Sequence, residues 1–249
     1  MGNNLTEREF WLNYWENKTD LVKKVESEDY FIPLFDKVVK DFKPQTAIEI
    51  GGFPGYQSIF LKKKHKVSTT LLDYVVHTKR ITELLEFNGL KADDISCIET
   101  DLFSYEPEKK YDLVFSIGFI EHFRDTKNLL EIHSKYLSEN GTLLIIVPNF
   151  LGVNGWMNKT FDRANFDKHF LDCMDKDNLE ELSNEIGLNV VSSEYYGGFS
   201  IWLENMAKKS GIFKLIFKSV WIVGKVFSKI LRKETQLLSP YTILIARKK

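Results

Sequence analysis

Apolar positions in this chain cluster in short runs separated by polar stretches of helical spacing. The first run holds Ala47, Ile48 and Ile50. Further runs lie at 67–74, 95–98, 111–116, 142–149, 188–196 and 241–246. Each has the length and β-branched content of a buried strand. Helical patterns begin near Gly55 and fill 80–87, 129–137 and 178–186. Strands alternating with helices argue for an α/β fold, a parallel sheet covered on both faces. Residues 5–45 read as helical, with Phe10, Trp11, Tyr14 and Trp15 on one helix face. Asn140-Gly141 reads as a turn, and Gly197-Gly198 closes the sixth strand. Residues 150–176, rich in Asn, Asp, Gly and aromatics, read as irregular. There is no internal repeat.

The stretch before the last strand changes this picture. Between Lys208 and Lys233 stand Lys208, Lys209, Lys214, Lys218, Lys225, Lys229, Arg232 and Lys233, with no acidic residue, in a chain of net charge -1. At 100° per residue, Lys214, Lys218, Lys225, Lys229 and Arg232 fall within about 60° of one another. Aliphatic and aromatic residues fill the rest of the turn. Lysines interrupt the segment too often for a membrane span. It fits a helix lying on anionic lipid, or one packing on the domain or on a second subunit. Oligomeric state is left open.

Composition adds limits. The 249 residues are 43% hydrophobic and 28% charged, ordinary for a globular protein of one domain. Cys97 and Cys173 are too few for a disulfide framework and lack metal-ligand spacing, so no metal is expected. The amino terminus has no apolar signal region. The expected location is the cytoplasm, peripheral on the inner face of the membrane if the basic helix binds lipid. Gly2 and Thr6 match a myristoylation spacing, read as chance. The acidic remainder argues against nucleic acid, as does S-I-G-F (Ser116 to Phe119) in place of N-P-P-Y or D-P-P-Y.

The chemistry gathers at T-A-I-E-I-G-G-F-P-G-Y (Thr46 to Tyr56). A strand ending in glycines before a helix is where open α/β sheets bind ligands. The dinucleotide pattern G-x-G-x-x-G is absent, since Phe53 and Tyr56 hold its second and third positions. Glu49 suits a cationic or hydroxyl-bearing ligand and would repel a pyrophosphate. Asp73, ending the second strand, has the position of a ribose-binding carboxylate; a loop or helix-cap role is the plainer alternative.

The order acidic-x-Gly-x-x-x-Gly (Glu49, Gly51, Gly55), together with Y-D-L-V-F-S followed by Glu121-His122, resembles class I S-adenosylmethionine (SAM)-dependent methyltransferases of the small-molecule group. Phe53-Pro54-Gly55 departs from the usual motif, which carries glycine at the position of Phe53. The resemblance implies a doubly wound, Rossmann-like, seven-stranded, mostly parallel sheet with an antiparallel last strand. The core would be 46–200 and 240–249, with 1–45 an N-terminal helical lid and 201–239 a basic helical insert, all in one domain. It implies SAM as cofactor, contacted by Glu49, Gly51, Gly52, Phe53, Gly55, Asp73 and Tyr74. Asp101 and Leu102 would meet adenine, Ser116 and Ile117 would face the cofactor from strand four, and Tyr14 or Trp15 would cover it.

His122, after strand four, is the candidate base for a hydroxyl acceptor, since an imidazole titrates near neutrality. It fits a packing role equally well. His169 is the weaker candidate, His65 and His133 read as solvated, and His77 has no clear assignment. The expected activity is methyl transfer to a small or lipid-linked acceptor at oxygen, either a sugar of surface-glycan assembly or a quinone-like lipid. A second reading is a membrane-attached SAM-binding module without catalysis.

Overall fold

The computed structural model describes residues 5–25, 30–231 and 233–248. Seven strands form one sheet: β1 (Thr46–Ile50), β2 (Ser68–Asp73), β3 (Ile95–Glu99), β4 (Tyr111–Ile117), β5 (Leu137–Pro148), β6 (Asn189–Tyr196) and β7 (Tyr241–Arg247). Their order is β3-β2-β1-β4-β5-β7-β6. Strands β1 to β5 pair in parallel, and β7 is antiparallel to both β5 and β6. The reversal between β1 and β4 leaves a crevice at their carboxyl ends, where α/β sheets bind ligands.

Successive side chains in the central strands point to opposite faces, and both faces are covered, so these strands are apolar throughout. On one face Ile48, Ile50, Val114, Leu143 and Ile145 pack with Leu129 and Leu130 of α5 (Thr126–Lys135) and Leu179 of α8 (Lys176–Glu185). On the other, Ala47, Leu113, Phe115 and Leu144 meet Ile32, Phe35 and Val38 of α2 (Ile32–Phe42). A third cluster joins Leu71 and Ile59, of α3 (Tyr56–Phe60), to Ile81, Leu84 and Leu85 of α4 (Thr78–Phe87). At the amino end of the sheet, Asp112 Oδ2 accepts from the backbone N–H of Gln45 and Thr46 and from the Thr46 hydroxyl. The aspartate of the Y-D motif therefore pins β4 to the start of β1, far from the crevice.

Several expectations need correction. Residues 5–45 are not helical throughout. They hold α1 (Arg8–Glu16) and α2, separated by a stretch without helix at 17–25. β5 begins at Leu137, before Asn140-Gly141: its register on β4 jumps from Tyr111↔Leu137 to Leu113↔Thr142, so residues 138–141 bulge out of the ladder, with Asn140 left-handed (φ 61°). The stretch at 150–176 contains α6 (Val153–Phe161), α7 (Arg163–Phe166) and a short turn, Asp172–Met174. Buried Asn158 and Asn165 link the two helices, Asn165 Nδ2 donating to Asn158 Oδ1 at 3.0 Å. These polar residues bond inside the helices' packing, which gives the sequence the look of a loop. The insert forms α9 (Gly211–Leu231) after a short turn at Glu204–Lys208. Gly2 and Arg232 lie outside the described residues.

Candidate active site

At the crevice a cavity of about 440 Å³ is lined by Gly51, Phe53, Leu72, Asp73, Tyr74, Asp101, Leu102, Ile117 and Phe119 on the sheet side. Phe10, Trp11, Tyr14 and Trp15 line it from α1, and His122, Phe123, Asn165, Lys168, His169 and Glu204 close the remaining side. This is within the usual size range for small-molecule pockets.

The loop after β1 is tightly determined. Gly51 has φ 65°, and a Cβ there would lie 2.0 Å from the Phe119 ring. Backbone conformation and space both require glycine. At Gly52 a Cβ would lie 2.1 Å from Glu49 Cγ. Gly55 has φ 90° and starts α3.

Glu49, Gly52, Gly55 and Ser116 do not line the cavity, contrary to expectation. Glu49 is buried, and its Oε2 accepts from the Ser58 N–H (3.1 Å) and hydroxyl (2.6 Å). Its carboxylate thus serves the first turn of α3, where negative charge is favoured. Ser116 lies in the core, 3.1 Å from His133 Nε2, and His133 Nδ1 bonds the Leu129 carbonyl at 2.7 Å. His133 is fully buried, joining β4 to α5, and burial lowers its pKa to about 4. Nor is His65 a solvated residue: it is partly buried, 2.7 Å from Asp36.

Asp73, Tyr74, Asp101, Leu102, Ile117, Gly51, Phe53, Tyr14 and Trp15 do come together. Asp73 Oδ2 accepts from the Phe53 N–H (2.9 Å) and Oδ1 from the Val75 N–H (3.0 Å). Burial raises its pKa to about 6, against the pull of these bonds. Beside these donors and the Tyr74 N–H, the carboxylate keeps lone-pair capacity for a ligand hydroxyl. Asp101 Oδ1 accepts from the Phe103 N–H, which fixes the turn that presents buried Leu102.

Three contacts hold α1 over the opening. The Leu5 N–H donates to the His122 carbonyl (2.7 Å), Arg8 Nε donates to the Tyr74 carbonyl (3.2 Å), and the Arg8 guanidinium pairs with Glu99 (2.7 Å). The Trp15 ring packs edge-on against Phe53, with centroids 5.1 Å apart.

His122 is 8% exposed. Its ring lies 5.1 Å from Trp11 and 5.0 Å from His169. His122 Nδ1 is 3.0 Å from the Lys168 carbonyl and His169 Nδ1 is 2.8 Å from that of Asn165. A carbonyl only accepts, so both Nδ1 atoms carry hydrogen and both neutral rings keep their lone pair on Nε2. Burial, then the neighbouring His169, lowers the His122 pKa to about 3; burial lowers that of His169 to about 4. The ordinary imidazole value assumed from the sequence does not hold. Behind them Glu121 is 1% exposed, its Oε2 has no hydrogen-bond partner among the described residues, and burial raises its pKa to about 8.

Donor atoms of Glu121, His122 and His169 lie within 4.8 Å of one another. Donors on one tetrahedral ion sit about 3.5 Å apart, so the trio would have to close by about 1 Å to hold one. Phe10, Trp11, Thr6, Phe119, Asn165, Lys168 and Glu204 were not singled out as site residues. The aromatic stripe is the local signal for Phe10 and Trp11 and the polar stretch at 150–176 that for Asn165 and Lys168; Thr6, Phe119 and Glu204 have none.

The fold is that of the class I SAM-dependent methyltransferases. Residues 26–193 match a family described as a methyltransferase domain, and the chain belongs to that family. Among curated proteins, it is 24% identical over 161 residues to (S)-coclaurine N-methyltransferase of Papaver somniferum, covering 57% of this chain and 43% of that enzyme. The chain spans less than half the length of the curated relatives it matches, 41% and 43%. Among solved structures, coclaurine N-methyltransferase bound to N-methylheliamine and SAH superposes with TM-score 0.66 at 14% identity, covering 100% of this chain and 84% of that one. The 1,6-didemethyltoxoflavin-N1-methyltransferase of Burkholderia thailandensis gives 0.58 at 14% identity, covering 97% and 87%.

Proposed function

We propose that this chain methylates an oxygen of a small or lipid-linked acceptor, using SAM, at the cytoplasmic side of a membrane. One observation carries the reading: a single cavity joins Gly51, Asp73, Asp101 and Leu102 to two neutral imidazoles. SAM supplies a methyl group already activated on a sulfonium, so the protein contributes binding, alignment and proton handling.

The residues present fit that cofactor. Asp73 has spare lone pairs for the ribose hydroxyls. Asp101 would accept from the adenine amino group, and Leu102 would cover the ring. Tyr74, Phe53 and Ile117 complete the wall, and Tyr14 and Trp15 exclude water from above. The acceptor lies toward His122, His169 and Lys168. Nε2 of His122 accepts the hydrogen bond of the acceptor hydroxyl and orients its oxygen. With a pKa near 3, His122 does not ionise the free hydroxyl; its Nε2 takes the proton as the oxygen becomes cationic during methyl transfer.

A second reading, methylation at nitrogen, is favoured by the relatives, which are named as N-methyltransferases. Radiolabelled SAM offered with sugar, quinol and amine acceptors, with and without membranes, separates the two. Label in an alkali-stable ether of a lipid fraction supports oxygen transfer, and label in amines alone overturns it. SAM binding without turnover on any acceptor would leave a non-catalytic binding module.

A further inference from the structure

Helix α9 has twenty-one residues and touches the body of the protein along a narrow stripe. Phe213 lies 5.1 Å from Phe161, a Cβ on Gly224 would lie 2.1 Å from the Phe199 ring, and Ser228 Oγ accepts from the Phe199 N–H at 2.9 Å. With Phe217, these positions span about 60° of the helix circumference. Across the helix, Ile212, Leu215, Ile216, Val223, Val226 and Ile230 are 54% to 74% exposed. Soluble proteins rarely leave so large an apolar face open. Lys214, Lys218, Lys225 and Lys229 run along one border of that face, between it and the packed stripe.

We infer that α9 docks on an anionic lipid bilayer, lying in the interface with its apolar face toward the acyl chains and its lysines at headgroup level. Three observations select this occupant. No described helix is long and apolar enough to cross a membrane, so α9 lies along the surface. From 208 to 233 there is no acidic residue, so a second copy pairing through α9 brings no carboxylate to the lysines. Anionic headgroups do, while the lysine stems extend along the apolar border. An apolar groove of about 420 Å³, walled by Val153, Phe199, Val220, Val223 and Phe227, lies beside the helix and suits an acyl chain.

The packed stripe of α9, opposite the docking surface, meets the layer that borders the cavity. α9 packs on Met157 and Phe161 of α6 and on Ile201 and Leu203. That layer leads directly to Asn165 and Glu204 in the cavity wall. The inference deepens the membrane location in the proposed function and does not depend on methyl transfer.

The test uses the full chain with phosphatidylcholine vesicles, with and without phosphatidylglycerol. Sedimentation should show at least tenfold stronger partition to the anionic vesicles, decreasing as salt rises and shortens the screening length. Replacing Lys214, Lys218, Lys225 and Lys229 by Glu should remove the preference for anionic lipid. Ile216→Asp with Val223→Asp, both at exposed positions, should abolish binding to either vesicle. S-adenosylhomocysteine affinity and melting temperature serve as the folding control and should not change. Wild-type protein left in the supernatant with anionic vesicles at low salt overturns the inference. So does a dimer in analytical ultracentrifugation that the Ile216→Asp, Val223→Asp protein no longer forms. Neither result bears on SAM binding, which is measured separately.

Discussion

Glu49 and Asp73 are both carboxylates near the carboxyl ends of neighbouring strands, yet their surroundings give them different tasks. Glu49 is committed to Ser58 and the start of α3. Asp73 lines the cavity, held by backbone N–H groups that include those of Phe53 and Val75. Asp73→Asn should weaken SAM binding by roughly 10- to 100-fold, since it removes charge-assisted hydrogen bonds; calorimetry reads this directly. Because Asp73 titrates near 6, wild-type affinity should also fall as pH drops through that value, and the variant should lose this dependence. Glu121 gives a stability test. Its pKa of about 8 exceeds the ordinary 4.5, so the folded chain binds this proton more tightly than the unfolded chain does. Stability therefore falls as pH rises between those values. Glu121→Gln should melt level with wild type near pH 4 to 5 and above it at pH higher than about 8. Equal melting at both would show that the carboxyl is not held neutral. His122→Ala should lower kcat by about 10²-fold, at the low end for a proton-handling residue, with SAM affinity intact in the same preparation.

At the scale of elements, α1 and the loop after β1 decide how the cofactor is enclosed. The Arg8–Glu99 pair is 44% exposed at both ends and contributes about 0–1 kcal/mol. Arg8→Ala should therefore raise the SAM Kd by no more than about fivefold. Trp15→Ala removes the ring that packs on Phe53 and opens the cavity to water. Its effect should exceed that of Arg8→Ala, to about tenfold or more. Tryptophan fluorescence should change on SAM addition in wild type and much less in Trp15→Ala. Identical Kd values for the three proteins would remove α1 from the cofactor's enclosure. The aromatic spacing in α1 was legible because a helix repeats every 3.6 residues. Its latches were not, because Glu99 and Tyr74 are distant in sequence and reach α1 only through the β2–β3 pairing.

At the scale of the whole molecule, cofactor binding should stabilise the fold by mass action. At a hundredfold excess over Kd, SAM or its demethylated product adds about 2.7 kcal/mol. For a chain of this length that raises Tm by roughly 5–10 °C. NAD should give no shift, since Phe53 and Tyr56 stand where a pyrophosphate-binding loop carries glycine. The seven runs of apolar residues specified seven strands, and the helical stretches between them specified a parallel arrangement, because each run must bury both faces. Local pattern also located Gly51, Asp73, Asp101 and His122 near the carboxyl ends of strands. Four outcomes needed the tertiary structure. Glu49 and Ser116 turned inward because Ser58 and His133 were there to meet them. His122 lost its ordinary basicity because α1 and the segment around His169 enclose it. The stretch at 150–176 became helical because its asparagines bond to one another. The apolar face of α9 stayed open because only a stripe of it finds Phe161 and Phe199. Sequence periodicity fixes which positions are apolar and on which face. The partner of each polar group, and the side of an amphipathic helix that is covered, depend on atoms brought together from distant parts of the chain.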